Sequence, residues 1–142
     1  MSKAKRIFFV ADTKDFADKL LVAALRKLIK GLIRLGHDIQ IFNYRGAFHQ
    51  AGPIINTRFA RRLCKSYVVD KLLVKQIKNY NPDIIHINFA NYLDAKTVML
   101  MRQAAPNAFF IGADGDSWPE HHRYRLQAAA KLDVVTTTYE GK

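Results

Sequence analysis

The sequence predicts an α/β domain: a doubly wound parallel sheet of about five strands, Rossmann-like, in three α/β/α layers. Three observations carry this. Short apolar runs alternate with helix-period segments along the whole chain. Three of the runs are entered from a helix end through a polar turn ending in aspartate, at Gly36-His37-Asp38, Asn81-Pro82-Asp83 and Leu132-Asp133. Strands joined by helical crossovers must pair in parallel, which makes the sheet doubly wound.

The elements follow in order. Strands are expected at 7–11, 39–43, 83–87, 108–112 and 133–138. Helices are expected at 16–35, 58–80, 93–105 and 120–131. The first helix is two-faced, with Leu20, Leu21, Ala24, Leu25, Leu28, Leu32 and Leu35 on one side. Lys19, Arg26, Lys27, Lys30 and Arg34 lie on the other. The stretch 44–57, with Gly46, Gly52 and Pro53, reads as a long loop. Pro82 stops the second helix. Thr13 and Asn91 are expected as helix caps, and Ser117 with Glu120 has the spacing of a capping box.

A chain of 142 residues, 49% apolar, makes one domain over 1–142 that needs no metal or disulfide staple. The lone Cys64 has no internal partner and falls on the apolar side of the second helix, as inert core. The basic start 3–6 precedes too short an apolar run for a signal peptide, and no run is long enough to span a membrane. The expectation is a cytoplasmic protein, peripheral at most at the inner face of the membrane. Residues 1–80 carry 17 Lys and Arg against 5 Asp and Glu, so the whole net charge of +11 lies in the first half. Arg26, Lys30, Arg34, Arg61, Arg62 and Lys65 form either solvated helix faces or a surface for an anionic membrane or other polyanion. Nucleic acid is disfavoured, because no recognition motif accompanies the charge.

Open parallel sheets bind ligands beyond the carboxyl ends of their strands. There the sequence places Asp12, Thr13, Lys14, Arg45, Asn88, Asn91, Asp114, Asp116 and Tyr139, with Trp118 nearby. Asp114 and Asp116 flank a glycine; the pair reads as an acidic turn, as a general base with an acceptor contact, or as a metal site. His86 alternates with Ile85 and Ile87 and reads first as a hydrogen-bonded core histidine. His121 and His122 are adjacent and cannot share a helix face, which excludes a paired metal site. No Gly-x-Gly-x-x-Gly, P-loop or Gly-x-Ser-x-Gly is present. A phosphorelay receiver needs an aspartate at the end of the third strand, and this chain has Asn88.

The stretches Leu35-Gly36-His37-Asp38-Ile39, Asn81-Pro82-Asp83-Ile84-Ile85-His86 and Leu132-Asp133-Val134-Val135-Thr136 resemble the amino-terminal domain of two-domain GT-B glycosyltransferases. The similarity is to family-four enzymes and spore-coat maturation glycosyltransferases. It departs from them at Asp12-Thr13-Lys14-Asp15, where a glycine-rich loop is common, and at Asp114-Gly115-Asp116, where many relatives have a histidine.

The resemblance implies an acceptor-binding half, nearly inactive alone, whose carboxy-terminal donor domain lies beyond Lys142 and holds a nucleotide-diphosphate sugar. Catalysis there is metal-independent, and this chain itself holds no cofactor. Asp114 or Asp116 would act as base or acceptor anchor. Lys14 and Arg45 would meet anionic groups, and Asn88, Asn91 and Tyr139 would donate hydrogen bonds. An uncovered sheet face left by a missing helix would favour a dimer. The alternatives are a stand-alone, non-catalytic flavodoxin-like binding module, a basic polyanion-binding or membrane-surface domain, and a single-domain metal-dependent transferase.

Overall fold

A computed structural model describes residues 3–11, 19–50, 58–88, 93–114 and 123–137. Five strands pair in parallel in the order β2-β1-β3-β4-β5. They are β1 (Arg6–Ala11), β2 (Asp38–Asn43), β3 (Ile84–Asn88), β4 (Phe109–Asp114) and β5 (Val134–Thr137). The helices are α1 (Lys19–Arg34), α2 (Tyr44–Gln50), α3 (Arg58–Ser66), α4 (Val74–Tyr80), α5 (Ala95–Ala104) and α6 (Arg123–Ala129). A π-helical segment, Tyr67–Leu73, joins α3 to α4. The parallel five-stranded sheet is the one the sequence predicts, with the flavodoxin-like strand order.

Right-handed crossovers decide the layers. The step from β1 to β2 runs in one direction across the sheet, and the later steps run in the other. That puts α1 on one face and α4, α5 and α6 on the opposite face. The main core lies on the latter, where Phe8, Val10, Phe42, Ile85, Ile87 and Phe110 meet Leu73, Ile77, Val98, Met101 and Ala128. β1 is an interior strand, flanked by β2 and β3, and is apolar on both faces; Ile7, Phe9 and Ala11 are buried as well. On the α1 side Ile41 and Phe109 each remain 46% exposed.

The three aspartate lead-ins close the amino edge of the sheet. The Arg6 amide donates to Asp83 Oδ2 (2.8 Å), and the Asp83 amide donates back to the Arg6 carbonyl (2.9 Å). The Phe110 amide donates to Asp133 Oδ2 (2.7 Å), while Arg102 holds Asp133 Oδ1 (2.8 Å). The Asp38 amide donates to the Lys5 carbonyl (2.9 Å), and the Lys5 amide donates to His37 Nδ1 (3.1 Å). Each lead-in satisfies backbone groups where a strand begins. The turn before β2 is a Schellman motif: Gly36 takes φ of +85°, the His37 amide reaches the Leu32 carbonyl and the Gly36 amide reaches the Ile33 carbonyl.

The structure corrects four local expectations. Residues 44–50 are helical rather than loop. Asn43 Oδ1 accepts from the Gly46 amide (2.8 Å), and a Cβ at Gly46 would come within 2.5 Å of the Asn43 side chain, so the cap needs glycine. The helix expected over 58–80 contains the π-helical turn, with the Val74 amide donating to the Val69 carbonyl. Cys64 and Val69 are both buried although five residues apart, which at 3.6 residues per turn leaves them about 140° out of phase. The wider π turn brings both to the core.

Helix α5 starts at Ala95 with Asp94 as its cap, so Asn91 does not cap it; Asp94 accepts from the Thr97 amide (2.9 Å). Leu28 on α1 and Leu35 just past its end are exposed rather than part of a buried stripe, and Leu25, Ile29 and Leu32 are the half-buried set. Cys64 is buried, as its helix position predicts.

Candidate binding site at the carboxyl edge

The strand ends form the rim expected to bind ligand. Asn88 ends β3, is half-buried and lies opposite Ala113. Asp114 ends β4 opposite Thr137, with its side chain outside the described residues. Asp12, Thr13, Lys14, Asn91, Asp116, Trp118 and Tyr139, together with Ser117, Glu120, His121 and His122, also lie outside them. So do the side chains of Arg45 and Arg61, whose backbones belong to α2 and α3. Arg26, Lys30 and Arg34 are exposed on α1. The residues expected at the rim are therefore joined here only in part, through Asn88 and the backbone of Asp114.

Beside the rim a pocket of about 490 Å³ opens between α3, the π-helical segment and the first turn of α5. Arg62, Lys65, Ser66, Asp70, Asp94 and Lys96 line it. Of these, sequence reasoning named only Arg62 and Lys65, and as part of a polyanion face. Lys65 is ion-paired to Asp94 Oδ2. The signal that was available is Asp94-Ala95-Lys96-Thr97, an acidic cap three residues before a threonine at the start of an apolar-periodic segment.

Asp94 is the hub. Burial would raise its carboxyl, but the hydrogen bond from Lys65 and those from the Thr97 amide and hydroxyl outweigh it and hold it below the ordinary value. Asp70 accepts from the Ser66 hydroxyl (2.7 Å). Tyr44 is fully buried behind this wall; burial, then the carboxylates of Asp94 and Asp70, push its phenol upward, so it stays protonated. His86 stands elsewhere, on the α1 side of β3, with its ring 4.8 Å from Phe9. Its Nδ1 has no hydrogen-bond partner among the described residues, and burial lowers its pKa from 6.5. His86 is thus half-buried against a ring, and its Nδ1 is without the hydrogen bond expected of a core histidine.

No group of three or more His, Cys, Asp or Glu suited to a metal occurs among the described residues. No helix among them is long and apolar enough to cross a membrane.

The parallel pairing and strand order define a flavodoxin-like α/β domain. No protein-family profile matches the chain, and no curated protein matches it. Solved structures do. The receiver domain of a CheY-like response regulator from Methanospirillum hungatei matches at TM-score 0.55 and 14% identity, over 98% of this chain and 85% of its own. A signal receiver domain of a modulated diguanylate cyclase from Desulfovibrio desulfuricans matches at 0.54 and 15%, with the same coverage. A BeF3-activated DrrB receiver domain matches at 0.50 and 11%, over 98% and 88%. At these identities the likeness is one of fold.

These neighbours are receiver domains, not glycosyltransferase domains. They overturn the expected GT-B acceptor half, with its nucleotide-sugar chemistry and carboxy-terminal donor domain. Docking on an anionic membrane for a lipid acceptor, and dimerisation through an uncovered sheet face, belonged to that reading and are not retained. The physical reason is visible in the three stretches that carried the resemblance. Their aspartates close backbone hydrogen bonds at the amino edge, and parallel sheets of many families need such closure.

Proposed function

We propose that this chain is a receiver-fold signalling module that takes its signal by binding rather than by accepting a phosphoryl group. The receiver likeness supports the module, and one observation carries the rest: β3 ends on Asn88, where a phosphorelay receiver needs an aspartate. A carboxylate attacks phosphorus and holds an acyl phosphate, whereas a carboxamide has neither the charge nor a free nucleophilic lone pair. In the Desulfovibrio relative the receiver belongs to a diguanylate cyclase. By analogy the partner of this chain is an output domain that responds to its bound state.

The test is incubation of the chain with acetyl phosphate and Mg²⁺, followed by intact mass measurement under denaturing conditions. No covalent phosphoryl adduct is expected, and beryllofluoride should leave the amide NMR spectrum unchanged. A stoichiometric phosphoryl adduct on any carboxylate of the rim overturns the reading.

A further inference from the structure

We propose that the pocket between α3, the π-helical segment and α5 binds a small phosphomonoester. This deepens the reading above by giving a binding-driven module the chemical class of its signal.

Asp94 is occupied by Lys65 and by the amide and hydroxyl of Thr97. Asp70 is engaged by the Ser66 hydroxyl. Lys65 is itself spent on Asp94. What remains is Arg62 on α3 and Lys96 on α5, neither ion-paired to any described residue. A hydroxyl leaves the charge of Asp70 in place, so three cations (Arg62, Lys65, Lys96) against two carboxylates (Asp70, Asp94) leave the pocket net positive, with its two unpaired cations on two walls. The first turn of α5 is capped from within by Asp94, so recognition rests on these side chains rather than on the helix end.

Phosphate suits the pair better than carboxylate. A guanidinium fork takes two oxygens side by side and an ammonium takes a third, and a phosphomonoester offers three terminal oxygens where a carboxylate has two. The volume of about 490 Å³ exceeds that of a bare ion and lies in the range of organic ligands. Leu63 and Val69 give the organic part apolar contact, and the second oxygen of Asp70 is free to accept from a ligand hydroxyl.

The experiment is titration of the full chain with glycerol 3-phosphate at constant ionic strength, followed by the backbone amide resonances of Ser66, Asp70, Lys96 and Thr97. Saturable shifts at these amides are expected, with acetate producing none. Arg62→Gln and Lys96→Gln should each weaken binding about tenfold, the value of one charge-assisted contact. Lys78→Gln, an exposed charge on α4, should leave it unchanged. Arg62 and Lys96 are exposed, so the variants keep the fold, and an unchanged thermal melt confirms that the loss is one of binding.

Absence of saturable shifts, equal shifts with acetate, or full affinity in the double variant overturns the proposal. The two readings fail separately. A covalent adduct from acetyl phosphate sinks the phosphorylation-independent function and leaves the pocket standing. Missing glycerol 3-phosphate shifts sink the pocket and leave the Asn88 argument intact.

Discussion

His86 shows how a single residue couples the fold to pH. Its ring packs on Phe9, and Nδ1 has no partner among the described residues. Burial favours the neutral imidazole, so the folded pKa lies below the ordinary 6.5. Between those two values the unfolded chain binds more protons than the folded one, so stability rises with pH through the window and is lost as pH falls. His86→Phe keeps a ring against Phe9 and removes the proton. Urea melts across the weakly acidic range should then lose that slope, and a slope equal to the parent's would show that His86 is not its source.

Asp133 acts in the same direction at lower pH. The Phe110 amide and Arg102 hold its carboxyl below the usual value, a stabilisation present above the unfolded aspartate range and lost as pH falls through the folded pKa. Because the side chain is 33% exposed, solvent screening keeps its worth small. Asp133→Ala should cost about 1 kcal/mol in urea unfolding at neutral pH, the net value of one hydrogen bond.

At the scale of elements, the π-helical segment and α5 depend on each other through one carboxylate. Asp94 caps α5 and fixes Lys65 at the end of α3, which places the π-helical wall beside the first turn of α5. Asp94→Ala removes the cap, at a cost of about 1 kcal/mol. Hydrogen exchange should then speed up at Thr97 and in the last turn of α3, while β3 keeps its protection. Unchanged exchange in α3 would show that Lys65 does not depend on Asp94.

The amphipathic pattern of α1 announced a helix with one apolar stripe, yet Leu28 and Leu35 of that stripe are exposed. Periodicity identifies a helix without setting its rotation, which depends on the surface it meets. The turn into β2 was legible because Gly36 has one conformational role there. The π-helical turn was not, because Cys64 and Val69 match no single α-helical face.

For the whole molecule, a net charge of +11 on 142 residues makes self-repulsion a global term. The Arg6–Asp38 pair is long and exposed (3.8 Å), so screening removes little attraction there. Raising NaCl from low to physiological concentration should therefore raise the melting temperature, and a falling melting temperature would mean that specific ion pairs outweigh the repulsion. On the same scale, the receiver neighbours replace the glycosyltransferase expectation. The stretches behind that expectation serve the amino edge of the sheet, whereas ligands of such sheets bind at the carboxyl edge.

The sequence by itself determined the number of strands and their parallel pairing, because short apolar runs with helical crossovers admit few arrangements. It also determined that β3 ends without a carboxylate. Tertiary structure alone decided the pocket. Arg62 and Lys96 are 34 positions apart in the chain, and only the packing of α5 beside the π-helical segment brings them to one cavity. It decided as well that Lys65 is spent on Asp94, since pairing between distant charges depends on which helices touch, and hydrophobic periodicity does not encode that.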